Sequence, residues 1–208
     1  MSKPLTPAEH SHLWDAFRSG NREAFGQLYD FYAADLYRYG YNLVRNRPLV
    51  EDAIHELFLH LHQNRTRLGP TDNIRFYLYR ALRRRLLDMV ARLNRFDDDD
   101  CVFEGAAFQV VPLETHLVEQ QLASQQQALL MVEVNKLPRR QREVLYLLYM
   151  KGLTYQQTAE VMGLALKSVY NTVNVALSTL RIYVRDSFEQ SGAFWSVSLT
   201  AFIYSLLW

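Results

Sequence analysis

The chain has 208 residues, 49% of them hydrophobic and 13% aromatic, enough to build one large or two small packed domains. Its formal net charge of +1 selects no partner class, but only four of its 23 basic residues are lysine, and arginine suits planar contacts to phosphates, bases and carboxylates. One cysteine, Cys101, excludes an intrachain disulfide, and the absence of a glycine-rich phosphate loop, a nucleophile elbow or a zinc-finger ligand set points away from an enzyme and from any cofactor.

Met1 to Asn21 is polar with scattered charges, so no secretory signal is expected, and with the lone cysteine this predicts a cytoplasmic protein. Helical periodicity dominates from there. Leu13, Trp14 and Phe17 share a face over residues 9–18. Asn21 is a plausible N-cap for a longer helix with Phe25, Leu28, Tyr29, Tyr32 and Leu36 at helical spacing.

A third helix, about 49–63, reads LVEDAIHELFLHLHQ. It offers Val50, Ala53, Ile54, Leu57, Phe58 and Leu61 to a core, and Asp52, His55, Glu56 and Leu59 on a second face. A leucine between carboxylates fits a basic, partly apolar protein surface, or else an ordinary solvated face. His55, His60 and His62 do not share one helical face, so no metal site is expected there.

The fourth helix, about 73–94, lies in a stretch from Arg65 to Arg95 with nine arginines and two aspartates. Leu78, Leu82, Leu86 and Met89 form its core stripe. Arg75, Tyr77, Arg80, Arg83 and Arg84 are expected outward, beside Phe76 and Tyr79. Guanidinium groups interleaved with rings suit melted or single-stranded DNA, where phosphates pair and unpaired bases stack. The alternative places Phe76 and Tyr79 in the core.

RFDDDDCVFEGAAFQVVPLETH follows without helical period. Its aspartates, Asp97–Asp100, lack the glycine and distal glutamate of a calcium loop, and the segment is expected to be a flexible acidic linker. Further helices are predicted near 115–135, 139–150, 154–162 and 166–187. Leu137-Pro138 marks a helix start, Thr154 and Gln157 spell a capping box, and Gly163 suits a left-handed helix end.

The last helix offers Val169, Val173, Ala176, Leu177 and Leu180 to a core, which makes the pair a helix-turn-helix. Lys167, Ser168, Tyr170, Asn171, Asn174 and Ser178 face out. Asparagine matches adenine, and Lys167, Arg139, Arg140 and Arg142 match phosphate. A plain helical hairpin with a polar face is the alternative. The uncharged tail, residues 190–208, places Trp195, Leu199, Phe202, Ile203 and Leu206 on one helical face, and is expected to pack on the protein or a partner rather than enter a membrane.

The chain resembles an RNA polymerase sigma factor of the extracytoplasmic-function group, from about Asn21 to Phe188. AFGQLYDFYAADLYRYGYNLV, VEDAIHELFLHLHQ and IRFYLYRALRRRLLD are similar to the family's second conserved region, and LPRRQREVLYLLYMKGLTYQQTAEVMGLALKSVYNTVNVALSTLR to its fourth. The resemblance implies an all-α fold of two small helical domains: 1–95 for polymerase and the minus-ten element, a linker over 96–114, a helix-turn-helix domain over 115–188 and the tail from 189.

The resemblance also implies core RNA polymerase, promoter DNA and an anti-sigma factor as partners. Asp52, His55, Glu56 and Leu59 would dock on the clamp of the polymerase's largest subunit, with His55 in place of the usual glutamine. Arg75, Phe76, Tyr77, Tyr79, Arg80, Arg83 and Arg84 would melt and read the minus-ten element, with Arg84 in place of a common asparagine. Arg139, Arg140, Arg142, Lys167, Ser168, Tyr170, Asn171 and Asn174 would read the upstream element. Tyr170, Thr172 and Asn174 stand where the family carries charge, and Ala165 stands where a capping serine is usual, which implies weak autonomous reading of that element and an additional DNA-targeting partner, RNA-guided in one version. The rivals are a stand-alone helix-turn-helix regulator and a sigma-derived adaptor.

Overall fold

In a computed structural model, the structure describes residues 7–71, 73–96 and 130–191. Most of the expected linker and of the 115–135 helix, and the tail from residue 192 onward, lie outside the described residues. All the regular structure described is helical.

Four helices form the N-terminal bundle: α1 (Pro7–Arg18), α2 (Arg22–Val44), α3 (Arg47–Asn64) and α4 (Ile74–Phe96). Their starts follow from side-chain oxygens that accept orphan amides. Asn21 Oδ1 accepts from Glu23 N and Ala24 N, at 2.8 and 3.1 Å. Asn46 Oδ1 accepts from Leu49 N at 3.1 Å, with Pro48 in the first turn of α3. Asn73 Oδ1 accepts from Phe76 N at 2.9 Å. Only Arg45 and Asn46 separate α2 from α3, and Arg45 closes α2 in the left-handed region at φ 52°.

The predicted core stripes are largely those that bury. Trp14 and Phe17, Leu28, Tyr32 and Leu36, all six inward residues of α3, and Leu78, Leu82 and Leu86 are buried. Tyr29 departs from its stripe: it lies on the surface with its ring edge-on to Phe58 at 4.9 Å. The bundle closes tightly at Gly40, where a Cβ would lie 2.9 Å from Val50 Cγ1 and 3.2 Å from Leu86 Cδ1. Glycine is what lets α2 approach α3 and α4 this closely.

The C-terminal half comprises a helical stretch over 130–136, then α5 (Arg139–Leu145), α6 (Tyr155–Met162) and α7 (Leu166–Ser191). The helix predicted for 139–150 ends early. A π turn, Tyr146–Met150, continues it, with Lys151 N donating to Tyr146 O five residues back. The capping box of α6 forms in full: Thr154 Oγ1 accepts from Gln157 N at 3.1 Å and Gln157 Oε1 from Thr154 N at 3.0 Å. Gly163 ends α6 at φ 65°, ψ 37°. Val144, Leu147, Val161, Val169, Val173 and Leu180 fill this half.

The two halves touch. Tyr39 of α2 stacks on Tyr146 at 6.1 Å and packs on Tyr79 of α4 at 4.8 Å, so one apolar core runs through both.

Candidate polymerase and nucleic-acid interfaces

Burying one face of α3 leaves its other face in solvent. Asp52, His55, Glu56 and Leu59 are all exposed there, Leu59 at 46%. Glu56 is the member of this face engaged by α4, through an ion pair with Arg85. Between the helices runs an open groove of about 490 Å³, lined among others by Glu56, His60, Phe76, Arg80, Arg84 and Arg92. Of the docking candidates Glu56 lines this groove, together with Phe76, Tyr77, Arg80 and Arg84 of the arginine-aromatic set.

Along α4, Arg84 and Arg80 are exposed, and Arg75, Phe76, Tyr77 and Arg83 are half-buried. Arg80 lies over the Phe76 ring at 6.0 Å. Tyr77 packs on Trp14 at 5.5 Å. Tyr79 requires a correction. It is 0% exposed, held between Tyr39 and the C-terminal half, and cannot stack on a base from this position.

Several of these arginines have partners in the C-terminal half. Arg83 Nε donates to Glu143 Oε1 at 2.9 Å, and Tyr39 Oη donates to the same oxygen at 2.8 Å. Glu143 is 2% exposed. Burial first, and then the Glu143 carboxylate, push the Tyr39 phenol well above its ordinary value. Arg80 pairs with Glu160 at 3.1 Å, and Arg75 Nη1 donates to Lys151 O at 3.0 Å. Lys151 Nζ lies 3.0 Å from Asp35 Oδ2. Burial lowers the Lys151 ammonium from its ordinary value, and Asp35 opposes that shift.

The basic residues beside the helix-turn-helix also differ from expectation. Arg142 is buried and donates to Asn135 O, so it offers nothing to a phosphate. Arg139 donates to Leu43 O in α2 at 2.9 Å. Arg140 is exposed. On α7, Lys167, Ser168, Tyr170, Asn171, Asn174 and Ser178 are all exposed, as the periodicity predicts. Tyr170 stacks on Tyr155 of α6 at 4.4 Å with rings 12° from parallel. Sequence reasoning missed Glu143, Glu160 and Asp35, whose partners across the seam, Arg83, Arg80 and Lys151, lie at least 60 residues away. Among the described residues no three His, Cys, Asp or Glu side chains converge as metal ligands, and no helix is long and apolar enough to cross a membrane.

Comparison with known proteins places this geometry. Residues 28–96 match the family model of sigma-70 region 2, and residues 127–180 that of sigma-70 region 4. Over 157 residues the chain is 29% identical to the ECF RNA polymerase sigma factor BldN of Streptomyces coelicolor, covering 75% of this chain and 58% of BldN. It is 26% identical over 147 residues to the ECF RNA polymerase sigma factor SigM of Bacillus subtilis, covering 67% of this chain and 82% of SigM. The chain thus spans little more than half the length of the first relative.

Two solved structures share the fold. One is CnrH in complex with the cytosolic domain of CnrY, with TM-score 0.54, 20% identity and coverage of 85% of this chain and 97% of that one. The other is the sigma factor RpoE with the anti-sigma factor NepR from Bartonella quintana, with TM-score 0.56, 19% identity and coverage of 77% and 96%. With region 2 and region 4 present in order, in an all-helical fold, the chain belongs to the extracytoplasmic-function group of RNA polymerase sigma factors.

Proposed function

We propose that this chain docks on core RNA polymerase through Asp52, His55, Glu56 and Leu59 of α3, and that it helps melt and read the minus-ten element with Arg75, Phe76, Tyr77, Arg80, Arg83 and Arg84 of α4. The observation that carries this reading is the groove between α3 and α4, with Glu56 of the exposed α3 face on one wall and Phe76, Tyr77, Arg80 and Arg84 on the other. A polymerase surface gripping α3 would hold a melted strand against α4, where guanidinium groups pair with phosphates and rings stack on unpaired bases. The functional division is 1–95, 96–114, 115–188 and the tail from 189. The site of action is the cytoplasm, and the chain contributes binding energy rather than catalysed chemistry.

Upstream reading by α7 is weak in this proposal. Between Leu166 and Leu180 the helix carries one cation, Lys167, and Arg142 is withdrawn into the fold. Fewer phosphate contacts lower both affinity and its salt dependence. An additional DNA-targeting partner supplies the address, with Arg140 and the apolar tail assisting recruitment. An anti-sigma partner is proposed by analogy with RpoE, whose solved structure holds the anti-sigma factor NepR.

The test is transcription in vitro with core polymerase, the purified chain and fragmented genomic DNA, followed by mapping of transcript starts. Chain-dependent starts with a common minus-ten motif are expected. Core binding without chain-dependent transcripts would favour the adaptor. DNA binding with no affinity for core polymerase would favour the stand-alone regulator.

A further inference from the structure

Three of the α4 arginines proposed to hold DNA are engaged by the chain itself. Arg83 meets Glu143, Arg80 meets Glu160 and Arg75 meets the Lys151 carbonyl, each at 2.9–3.1 Å. These are oxygen acceptors at the distances a phosphate oxygen would take. The contacts are unequal. Arg80 and Glu160 are both well exposed, and water screens such a pair. Arg83 and Glu143 are largely removed from water, and Glu143 takes a second donor from Tyr39. A buried pair of this kind specifies geometry, because separating it without a substitute ligand leaves an uncompensated charge. Lys151 with Asp35, and Arg139 with Leu43 O, fasten the same seam along α2.

We infer that the C-terminal half is an intramolecular lid over the minus-ten-reading face, with Glu143 and Glu160 standing where phosphates bind, and that the free chain rests closed. The inference rests on the reading of α4 as the DNA face. Opening exchanges carboxylate partners for phosphate partners on Arg80 and Arg83, so the closed chain loses little when DNA replaces the lid. Separation of the halves on core polymerase supplies the opening. The lid keeps an arginine-rich helix from binding nucleic acid indiscriminately before polymerase is engaged.

The test uses the full chain and a randomised single-stranded DNA 30-mer, with binding read by fluorescence anisotropy. Glu143→Gln with Glu160→Gln keeps the side-chain shapes and removes the lid's charges. This pair is expected to bind the 30-mer about tenfold more tightly than the parent, in line with two freed phosphate contacts. Glu23→Gln with Glu51→Gln makes the same change in net charge away from the seam, and is expected to gain little. An equal gain in this control, or no gain in the lid variant, overturns the inference.

A second arm replaces the Asp35–Lys151 pair of the seam by a covalent bridge. In a Cys101→Ser background, Asp35→Cys and Lys151→Cys are bridged by a short reducible bismaleimide. The bridged chain is expected to lose 30-mer binding and chain-dependent transcription, and reductant is expected to restore both. Undiminished binding while bridged overturns the lid. Failure of the underlying reading has its own signature: Arg84→Ala would then leave minus-ten-strand binding by the polymerase-bound chain unchanged, whatever the lid variants do.

Discussion

Tyr39 donates its phenolic hydrogen to Glu143 across 104 residues of sequence, at 2.8 Å in a buried seam. Tyr39→Phe keeps the ring against Tyr79 and Tyr146 and removes only the donor. Glu143 then keeps Arg83 but loses the phenol donor. The expected cost is about 1–3 kcal/mol, the usual penalty for leaving a buried polar group short of a partner. Thermal unfolding checks this. An unchanged midpoint would mean that water replaces the phenol and that the seam is wetter than its burial implies.

Gly40→Ala places a methyl 2.9 Å from Val50 Cγ1. A β-branched side chain on a neighbouring helix cannot swing away cheaply, so α2 must move from α3. Overpacking of this kind costs about 1–3 kcal/mol. Chemical denaturation measures it, and a neutral result would show that α2 slides without resistance.

Leu59→Ala is expected to weaken association with core polymerase about tenfold or more, because an anchoring apolar side chain at an interface contributes disproportionately. Helical content is expected to be unchanged, since Leu59 is exposed and packs on nothing in the core. Co-sedimentation with core polymerase and far-ultraviolet circular dichroism together separate these two outcomes.

Asn171→Ala with Asn174→Ala is expected to lower initiation by less than about threefold, far below the loss from Arg84→Ala, because a nearly neutral helix makes few backbone contacts. Quantitative transcription on a mapped promoter decides it. A loss equal to that of Arg84→Ala would establish α7 as a direct reader of the upstream element.

Alkaline pH is expected to destabilise the fold. Burial raises Tyr32 and Tyr146 to about 12, and raises Tyr39 and Tyr79 well above the ordinary value. An unfolded tyrosine titrates near pH 10. The folded state therefore holds more protons above that pH, and stability falls as pH rises from about 10 toward 12. Lys151 runs the other way: its lowered value means that rising pH below 10.5 favours the fold. The four tyrosines outweigh it. Tyrosinate absorbance is expected to rise together with loss of helical dichroism. Ionisation complete before any helix is lost would contradict the burial of these rings.

Much of the scaffold was legible in the sequence because it is local. The α3 stripe, the Thr154–Gln157 capping box and the left-handed Gly163 are each set within a turn or two of chain, where periodicity and capping chemistry act directly. The seam was not legible. An arginine on the polar side of α4 reads the same whether a phosphate or Glu143 waits opposite, and 60 residues separate Arg83 from that carboxylate. Tyr79 illustrates the same limit. Its position on α4 is fixed by helical phase, but only the approach of the second half decides that it is covered. Arg142 was misread for a nearer reason: its guanidinium turns back to Asn135 O, just before the helix it belongs to.

The joint between α2 and α3 has a mechanical consequence. Its two residues, Arg45 and Asn46, leave no slack: one is held in a left-handed bend and the other caps the next helix. The pair behaves as a stiff hairpin with a handle and a latch. Leu59 is on the handle, and Asp35 and Tyr39 are on the latch. A load applied to the handle is borne at the latch, because nothing between them can stretch.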